Sequence, residues 1–453
     1  MAVSCGGKEN PSIKPPIVNP GGNDKPEDPG QTGSATLPKV GDEITPWVEG
    51  CFDIHFINTQ MGECTFLIFP DGTQMLIDAA GSLLETRDGS APNIGIRKRW
   101  DPTKDSNFNC NKFIENYLRK CMAWTGNDCL DYALVTHLHN DHYGAHLGQP
   151  VSPNSPTFKQ QSMVYIMDNF KIGKLMDRAY PDYNYPFDMS KVYKPTDDHS
   201  VCNWMTAVKW HVANKGLKVE KVQAGSGTQV AAVRNPSKYS SFKVRVIGVN
   251  GEVWTGSGDA TVKTFPPHEK ITCANPPSVV NTDNCPEENH ESAVLKFTYG
   301  MFDYWAGGDM QYDGMSTYPW KDIELPMAKA CGEVDVMKAD HHGSSSTNGY
   351  TTKTNAMKYL NPKCWIVCGW TDIHPRQATF EGVTNLLPDM DAFICNTCDS
   401  QKSYANYSKA VKGADGHIVV RVMNNGSKYY VYTLTDSDEK MTVKRIAGPY
   451  SSR

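Results

Sequence analysis

Residues 130–142 read LDYALVTHLHNDH. An apolar run of strand length gives way at Thr136 to His137, His139, Asp141 and His142, four potential metal ligands within six residues. Imidazole nitrogens and carboxylate oxygens are the usual ligands of zinc outside thiolate sites. In a turn that follows a strand, alternating side chains converge from one side. His137 and His139 can then reach one ion while Asp141 and His142 reach a second. With 13 histidines in 453 residues, an accidental HxHxDH anywhere in the chain has odds on the order of one in a thousand. A solvated polar loop is a poor account of such a segment.

Working outward, the flanking sequence alternates strands and helices. Residues 52–56 (FDIHF) alternate in polarity, as a half-buried strand does. CTFLIF, the turn PDGT and MLIDAA predict a hairpin of buried strands. Phe113, Ile114, Tyr117, Leu118, Cys121 and Met122 fall on one helical face over 111–124. A long region over about 150–240, rich in aromatics and proline, contains one amphipathic helix, NWMTAVKWHVANKG. Further on, SAVLKFTYG and FDYWAGGDM predict another hairpin. EVDVMKAD predicts a strand ending at HHGSSS, and KCWIVCGW a strand followed by a helix that presents Phe380, Val383 and Leu387. HIVVRVM and KYYVYTL are joined by NNGS, good hairpin-turn chemistry. Two sheets packed face to face with helices outside would accommodate this order, although the alternation alone does not select it.

The HxHxDH segment resembles the hallmark of the metallo-β-lactamase superfamily. Within it, the chain is most similar to the ComEC-type competence metallohydrolases and bacterial phosphorylcholine esterase, over most of residues 52–434. The resemblance implies an α+β fold, the αββα sandwich with helices on the outer faces of two packed sheets, here with an inserted region. IHFINTQMGECTFLIFPDGTQMLIDAA looks like the family's opening block, with Gln60-Met61-Gly62-Glu63 where relatives carry a GxGD-like run. Asp78 corresponds to the family's structural aspartate, expected to brace the metal loop rather than bind metal. ENHESAVLKFTYGMFDYWAGGDM resembles the block that supplies a third histidine and a bridging aspartate. Asp309 is the expected bridge, with a plain turn aspartate as the alternative. His290 is the expected third histidine of the first ion. KADHHGSSSTN resembles the HHGS block. There the resemblance favours His341 as the last ligand of the second ion, leaving His342 to contact substrate or donate a proton. Ser344 would donate to an anionic substrate oxygen or cap the next segment. WTDIHPRQATF looks like the His-Pro block. His374 would line the rim of the site, unless the segment matters only because Pro375 starts a helix. Among the other histidines, His211 reads as a core residue, His199 and His268 as surface residues with His268 a fallback ligand, and His55 and His146 as packing or supporting residues.

Two divalent ions, zinc or alternatively manganese, would hold a bridging hydroxide about 3.5–4 Å between metals, and Asp141 would orient it besides binding metal. The resemblance implies a phosphodiester substrate of the phosphorylcholine or nucleotide type, as a small molecule or a cell-envelope phosphoester. Hydrolysis of a lactam, lactone or thioester by the same centre is a second reading. A non-catalytic surface protein retaining the fold is a third. The aromatic stretch DYNYPFDMSKVY would either select the group that enters the site or form the inserted region's own core.

Composition narrows the setting. A net charge of -5 offers no global basic field for nucleic acid, which is not favoured as a partner. No apolar run reaches the ~18 residues needed to span a membrane. The 14 cysteines include a CxxC at Cys395 and Cys398 and a CxxxC at Cys364 and Cys368, with no second CxxC pair to complete a zinc site. Disulfides or buried thiols are expected instead, and disulfides would fit an oxidising compartment. Residues 1–44 are rich in Pro, Gly, Asn and Asp and predict a disordered tether. Within them, VSCGG resembles the end of a lipoprotein signal, with Cys5 as the acylated residue. That implies a secreted, periplasmic or envelope-anchored bacterial protein, the alternative being a flexible tail with a free thiol. The folded part is expected over 45–447, with an insertion at about 150–240 and a C-terminal tail at 448–453.

Overall fold

The computed structural model describes residues 37–59, 62–81, 110–194, 198–273, 284–311, 318–344 and 356–453. Its strands in chain order are β1 (Phe52–Phe56), β2 (Cys64–Ile68), β3 (Gln74–Ala79), β4 (Cys129–Val135), β5 (Lys171–Asp177), β6 (Val219–Lys221), β7 (Phe242–Val249), β8 (Glu252–Trp254) and β9 (Thr261–Lys263). They continue with β10 (Val294–Tyr299), β11 (Phe302–Ala306), β12 (Val336–Lys338), β13 (Cys364–Val367), β14 (Asp391–Ile394), β15 (Val411–Ala414), β16 (His417–Met423), β17 (Lys428–Leu434) and β18 (Val443–Ser451). One sheet has the order β18-β17-β16-β1-β2-β3-β4-β5-β6, the other β15-β14-β13-β12-β11-β10-β7-β8-β9.

Each sheet is mixed. In the first, β3, β4, β5 and β6 run parallel and the remaining pairs are antiparallel. In the second, β11 to β15 run parallel while β10, β7, β8 and β9 pair antiparallel. Parallel strands need crossovers, and helices supply them here.

Successive residues of a strand point to opposite faces, and in the central strands of each sheet, such as β2, β3 and β13, both faces are covered. Leu67 and Met75 join Phe297, Phe302 and Ile366 in a core between the sheets. Phe66 and Leu76 turn the other way, onto Phe113, Leu118, Met163 and Trp204 of the outer helices. On the far side, Trp305, Met337 and Trp365 of the second sheet pack on Met327, Met357 and Phe380. Helix, sheet, sheet, helix is thus the layer order, the αββα sandwich expected from the sequence. The helices on the first sheet include Cys110–Thr125 and Ser200–Lys215. Among the described residues, no helix is long and apolar enough to cross a membrane.

Three boundaries differ from expectation. The chain is tied into the fold before residue 45: Gly41 N–H donates to the Val443 carbonyl, Glu43 bridges Thr442, and Ile44 is buried. Cys5 and residues 1–36 lie outside the described residues. The expected tail at 448–453 instead continues β18, which pairs with β17 as far as Ser451 opposite Lys428. The expected insertion at 150–240 is largely framework, because it supplies β5, β6 and the helix Ser200–Lys215 to the first sheet's side. Its aromatics include core residues: the hydroxyl of Tyr183 and the indole N–H of Trp204 both donate to Asp177 Oδ2 at 2.7 Å. Of the cysteines, Cys273 and Cys285 form a disulfide, while Cys364, Cys368, Cys395 and Cys398 are buried thiols.

Candidate metal centre

The parallel strands of both sheets end at one edge of the sandwich, where the motif residues gather. The loop after β4 places its donors in two steps. His137 and His139 lie on the bend that follows β4, with ring centroids 4.8 Å apart on one side. The helical turn Asn140–Tyr143 then brings Asp141 and His142 round toward them. Asp309 arrives on the Gly307-Gly308 turn after β11, and His342 on the turn after β12.

Asp141, His142, Asp309 and His342 each offer one ligand atom, and these atoms all lie within 4.8 Å of one another. His142 Nε2 is 3.1 Å from Asp309 Oδ1, His342 Nε2 is 3.2 Å from Asp309 Oδ2, and His342 Nε2 is 3.6 Å from Asp141 Oδ2. Beside this group, His137 Nε2 and His139 Nδ1 are 3.2 Å apart. The rings of His137 and His142 are 4.0 Å apart. Ligand atoms about 2.0–2.1 Å from a tetrahedral zinc are separated by about 3.3 Å. The buried Nε2 atoms of His142 and His342 find no hydrogen-bond partner despite the nearby carboxylates. Unpartnered buried nitrogens beside carboxylates are what a metal ion would satisfy. These residues fit a divalent cation in chemistry and spacing.

The supporting contacts fix which ring nitrogen is free. Asp78 Oδ1 accepts the Thr136 N–H at 2.8 Å and its Oδ2 accepts the Thr136 hydroxyl at 2.7 Å. The same Oδ2 lies 2.8 Å from His142 Nδ1. That places a proton on His142 Nδ1 and turns Nε2 toward Asp309, where a metal ion would take the place of a second proton. With its hydrogen committed to Asp78, the Thr136 oxygen is free to accept from His137 Nδ1 at 3.1 Å, which exposes His137 Nε2. Asp78 is the brace expected of it. His342 Nδ1 donates to the Cys368 carbonyl at 2.9 Å and lies 2.9 Å from Glu63 Oε1. Its Nε2 is likewise left to ligate.

The field at the site favours positive charge. Burial lowers the affinity of His142 for a proton, but Asp309 and Asp78 outweigh it and raise its pKa to about 10. His342 is pushed up in the same way, with Asp309 and Asp141 overcoming burial. His137 moves down, through burial and then the neighbouring His142 and His139.

Two expected ligands are placed elsewhere. His341 does not join the four-donor group. Its Nε2 faces the Asn289 side-chain amide at 3.4 Å and its Nδ1 the Ser344 hydroxyl at 3.0 Å, so both nitrogens are engaged. His342, expected to contact substrate, is the one that joins that group. Both residues have left-handed backbone, φ 44° and 56°, and this tight turn decides which ring points inward. His290 does not form a three-donor group with His137 and His139 among the described residues. It sits in the 3₁₀ turn Glu288–Glu291, where its Nδ1 accepts the Glu287 N–H at 3.0 Å. The charges that act on it are Lys321 and His341. The cap on its own turn takes Nδ1, while its Nε2 is buried with no hydrogen-bond partner.

His374 is buried at the rim of the site, its ring 4.9 Å from that of His342 and 4.6 Å from Trp370. Glu63 and Lys338 were missed as site residues: Lys338 Nζ lies 3.0 Å from Glu63 Oε1 and 3.1 Å from Asp309 Oδ1. A lone lysine in the otherwise apolar strand VMKA was the available signal. Also missed was Arg178, paired with Glu288 and Glu291. Glu288 accepts the Leu138 N–H at 2.6 Å and so steadies the HxHxDH loop.

The fold can be compared with known structures. The chain is similar to the metallo-β-lactamase fold protein YhfI from Bacillus subtilis, at 9% identity and a TM-score of 0.33, over 77% of this chain and 98% of that one. It is also similar to the "Putative metal-dependent hydrolase" from Parabacteroides distasonis, at 13% identity and a TM-score of 0.32, over 78% and 97% of the two chains. No family model and no curated protein sequence matches. At these scores the likeness adds nothing to the side-chain geometry.

Proposed function

We propose that this chain is a metal-dependent hydrolase with two divalent ions, zinc in the first instance, acting on phosphodiesters. The observation that carries the reading is the convergence of Asp141, His142, Asp309 and His342 beside the apposed His137–His139 pair. When bound, the cations would supply Lewis acidity, acidifying water and neutralising charge on the phosphoryl oxygens. His137 and His139 are assigned to one ion, Asp141, His142 and His342 to the other, and Asp309 between them.

The protein's own groups do the rest. Asp141 is only half-buried, so it faces the side from which water and substrate enter and can orient the attacking water. His341 is also half-buried and is held by Asn289 and Ser344. It is placed to contact substrate rather than metal. Trp370 Nε1 and His374 Nδ1 are buried without a hydrogen-bond partner. Substrate oxygens would satisfy them, which supports an oxygen-rich ester. We also read Cys5 as a lipid anchor, putting the substrate in or near the cell envelope. Mass spectrometry of the native protein would show the acyl chains or rule them out.

Metal analysis of purified protein should find two equivalents of zinc or manganese. A panel of bis-p-nitrophenyl phosphate, p-nitrophenyl phosphorylcholine, nitrocefin and lactones should show turnover of the phosphodiesters, abolished by chelation. Turnover of lactams or lactones alone would replace the phosphodiester reading, and absence of metal would overturn the hydrolase.

A further inference from the structure

We propose that Lys338 and Glu63 are positioning residues, a buried charge clamp that holds Asp309 and His342 at ligating distance. The inference rests on the metal-centre reading above. Lys338 is on β12, four residues before His342, and Glu63 directly precedes β2 in the opposite sheet. Their contact therefore stitches the two sheets together beneath the site. Lys338 Nζ reaches Glu63 Oε1 and Asp309 Oδ1 at 3.0 and 3.1 Å and also donates to the Gly308 carbonyl. Glu63 Oε1 is in turn 2.9 Å from His342 Nδ1. Lys338, Glu63, Asp309 and His342 are all buried.

A buried lysine is costly unless it is well paired, and an apolar residue of similar volume would pack at least as well for stability alone. The clamp gives the charge a use. Asp309 turns Oδ1 to His142 and Oδ2 to His342, and the ammonium on its Oδ1 side fixes the carboxylate in that plane. The Cys368 carbonyl takes the His342 Nδ1 proton, and the negative charge of Glu63 Oε1, 2.9 Å from the same nitrogen, favours a proton there, so that Nε2 is the nitrogen left to ligate. The Gly62–Glu63 loop is itself pinned to the metal loop. Glu63 N–H donates to the Asp141 carbonyl at 2.8 Å, and a Cβ on Gly62 would come within 2.8 Å of that oxygen.

The clamp predicts opposite behaviour for its two members. Glu63→Gln leaves the whole lysine charge on Asp309, where it competes with the metal. Zinc affinity should fall about 10–100-fold, the usual effect of losing a ligand's supporting partner. Lys338→Met leaves two buried carboxylates without their cation. The metal-free protein should melt earlier, and zinc should restore a larger share of its melting temperature than in wild type. The double variant Glu63→Gln/Lys338→Met should recover zinc affinity relative to Glu63→Gln alone.

Zinc titration against a competing chelator, with thermal melts of metal-free and zinc-loaded protein, reads all three. Wild-type zinc affinity in Glu63→Gln, or equal losses of melting temperature with and without zinc in Lys338→Met, would overturn the clamp. Wild-type protein that binds zinc but hydrolyses nothing would sink the proposed reaction and leave the clamp standing. Wild-type protein that binds no zinc would sink both.

Discussion

The two sheets bring candidate ligands to the proposed centre in different ways. The first delivers His137, His139, Asp141 and His142 on one continuous loop after β4, with Asp78 and Thr136 bracing it through hydrogen bonds. The second delivers one ligand per loop: Asp309 after β11 and His342 after β12. It needs two consecutive left-handed residues and a lysine–carboxylate contact to do so. A strand running into a helical turn can point several donors at one spot through local periodicity. Separate loops have no such device, so strain and buried charge do the positioning, and such strain gathers at functional sites because the surrounding structure can hold it there.

The sharpest way to break this comparison is to remove the group both halves share. Asp309→Ala should leave the protein folded while zinc content and phosphodiester turnover collapse. The loss should exceed the about 100-fold upper range seen when only a supporting partner is removed. If zinc stays bound through the first loop and turnover survives, the halves do not form one centre.

Next in size is the contrast between neighbouring histidines. His342→Ala should lose zinc from the Asp141–His142 site, whereas His341→Ala should keep zinc affinity well inside the about 10-fold change of a lost supporting contact. Metal stoichiometry of the two variants checks this directly, and the reverse pattern would mean that the turn presents the other ring.

This pair also marks what could be read from the sequence. HxHxDH was legible because its spacing alone encodes convergence, and Asp309 because a carboxylate ended a predicted strand. The layer order was implied by the resemblance that the HxHxDH segment carries; buried strands such as CTFLI alternating with helices accommodate it without selecting it. The choice between His341 and His342 was not legible, because it depends on a positive-φ turn that two adjacent histidines do not announce. For His290, its distance from Asp309 along the chain suited a ligand but did not announce that Nδ1 would cap a 3₁₀ turn and that it would stand apart from the four-donor group. The strand β18 was hidden because it carries Gly448 and Pro449 and is mostly exposed, so it has neither alternation nor a buried run. Glu63 and Lys338 escaped because a buried ion pair joins residues on different sheets.

A brace-level test comes third. Asp78→Asn keeps the shape of the side chain but removes its charge, weakening its hold on His142 Nδ1 and on Thr136. Zinc affinity should fall about 10–100-fold. Because Thr136 relays Asp78 to His137, the loss should extend to the His137–His139 pair. Thr136→Val should reproduce the part that passes through His137 alone. Chelator competition on the two variants would show whether the first loop is held by one hub or by separate contacts.

The smallest expected effect lies farthest from the metal. Ser344 Oγ is 3.0 Å from His341 Nδ1, and both residues are assigned to the substrate side of the centre. Removing one neutral hydrogen bond costs about 0.5–1.5 kcal/mol, so Ser344→Ala should change kcat/KM by between about twofold and tenfold. Zinc affinity should not move, because neither partner is a ligand. If Ser344 only steadies its own turn, the melting temperature should fall with no change in kcat/KM. If it orients His341 toward a phosphoryl oxygen, the loss should appear with phosphodiesters and shrink on an uncharged ester bound at the same centre. That split would separate substrate recognition from metal support within the second half.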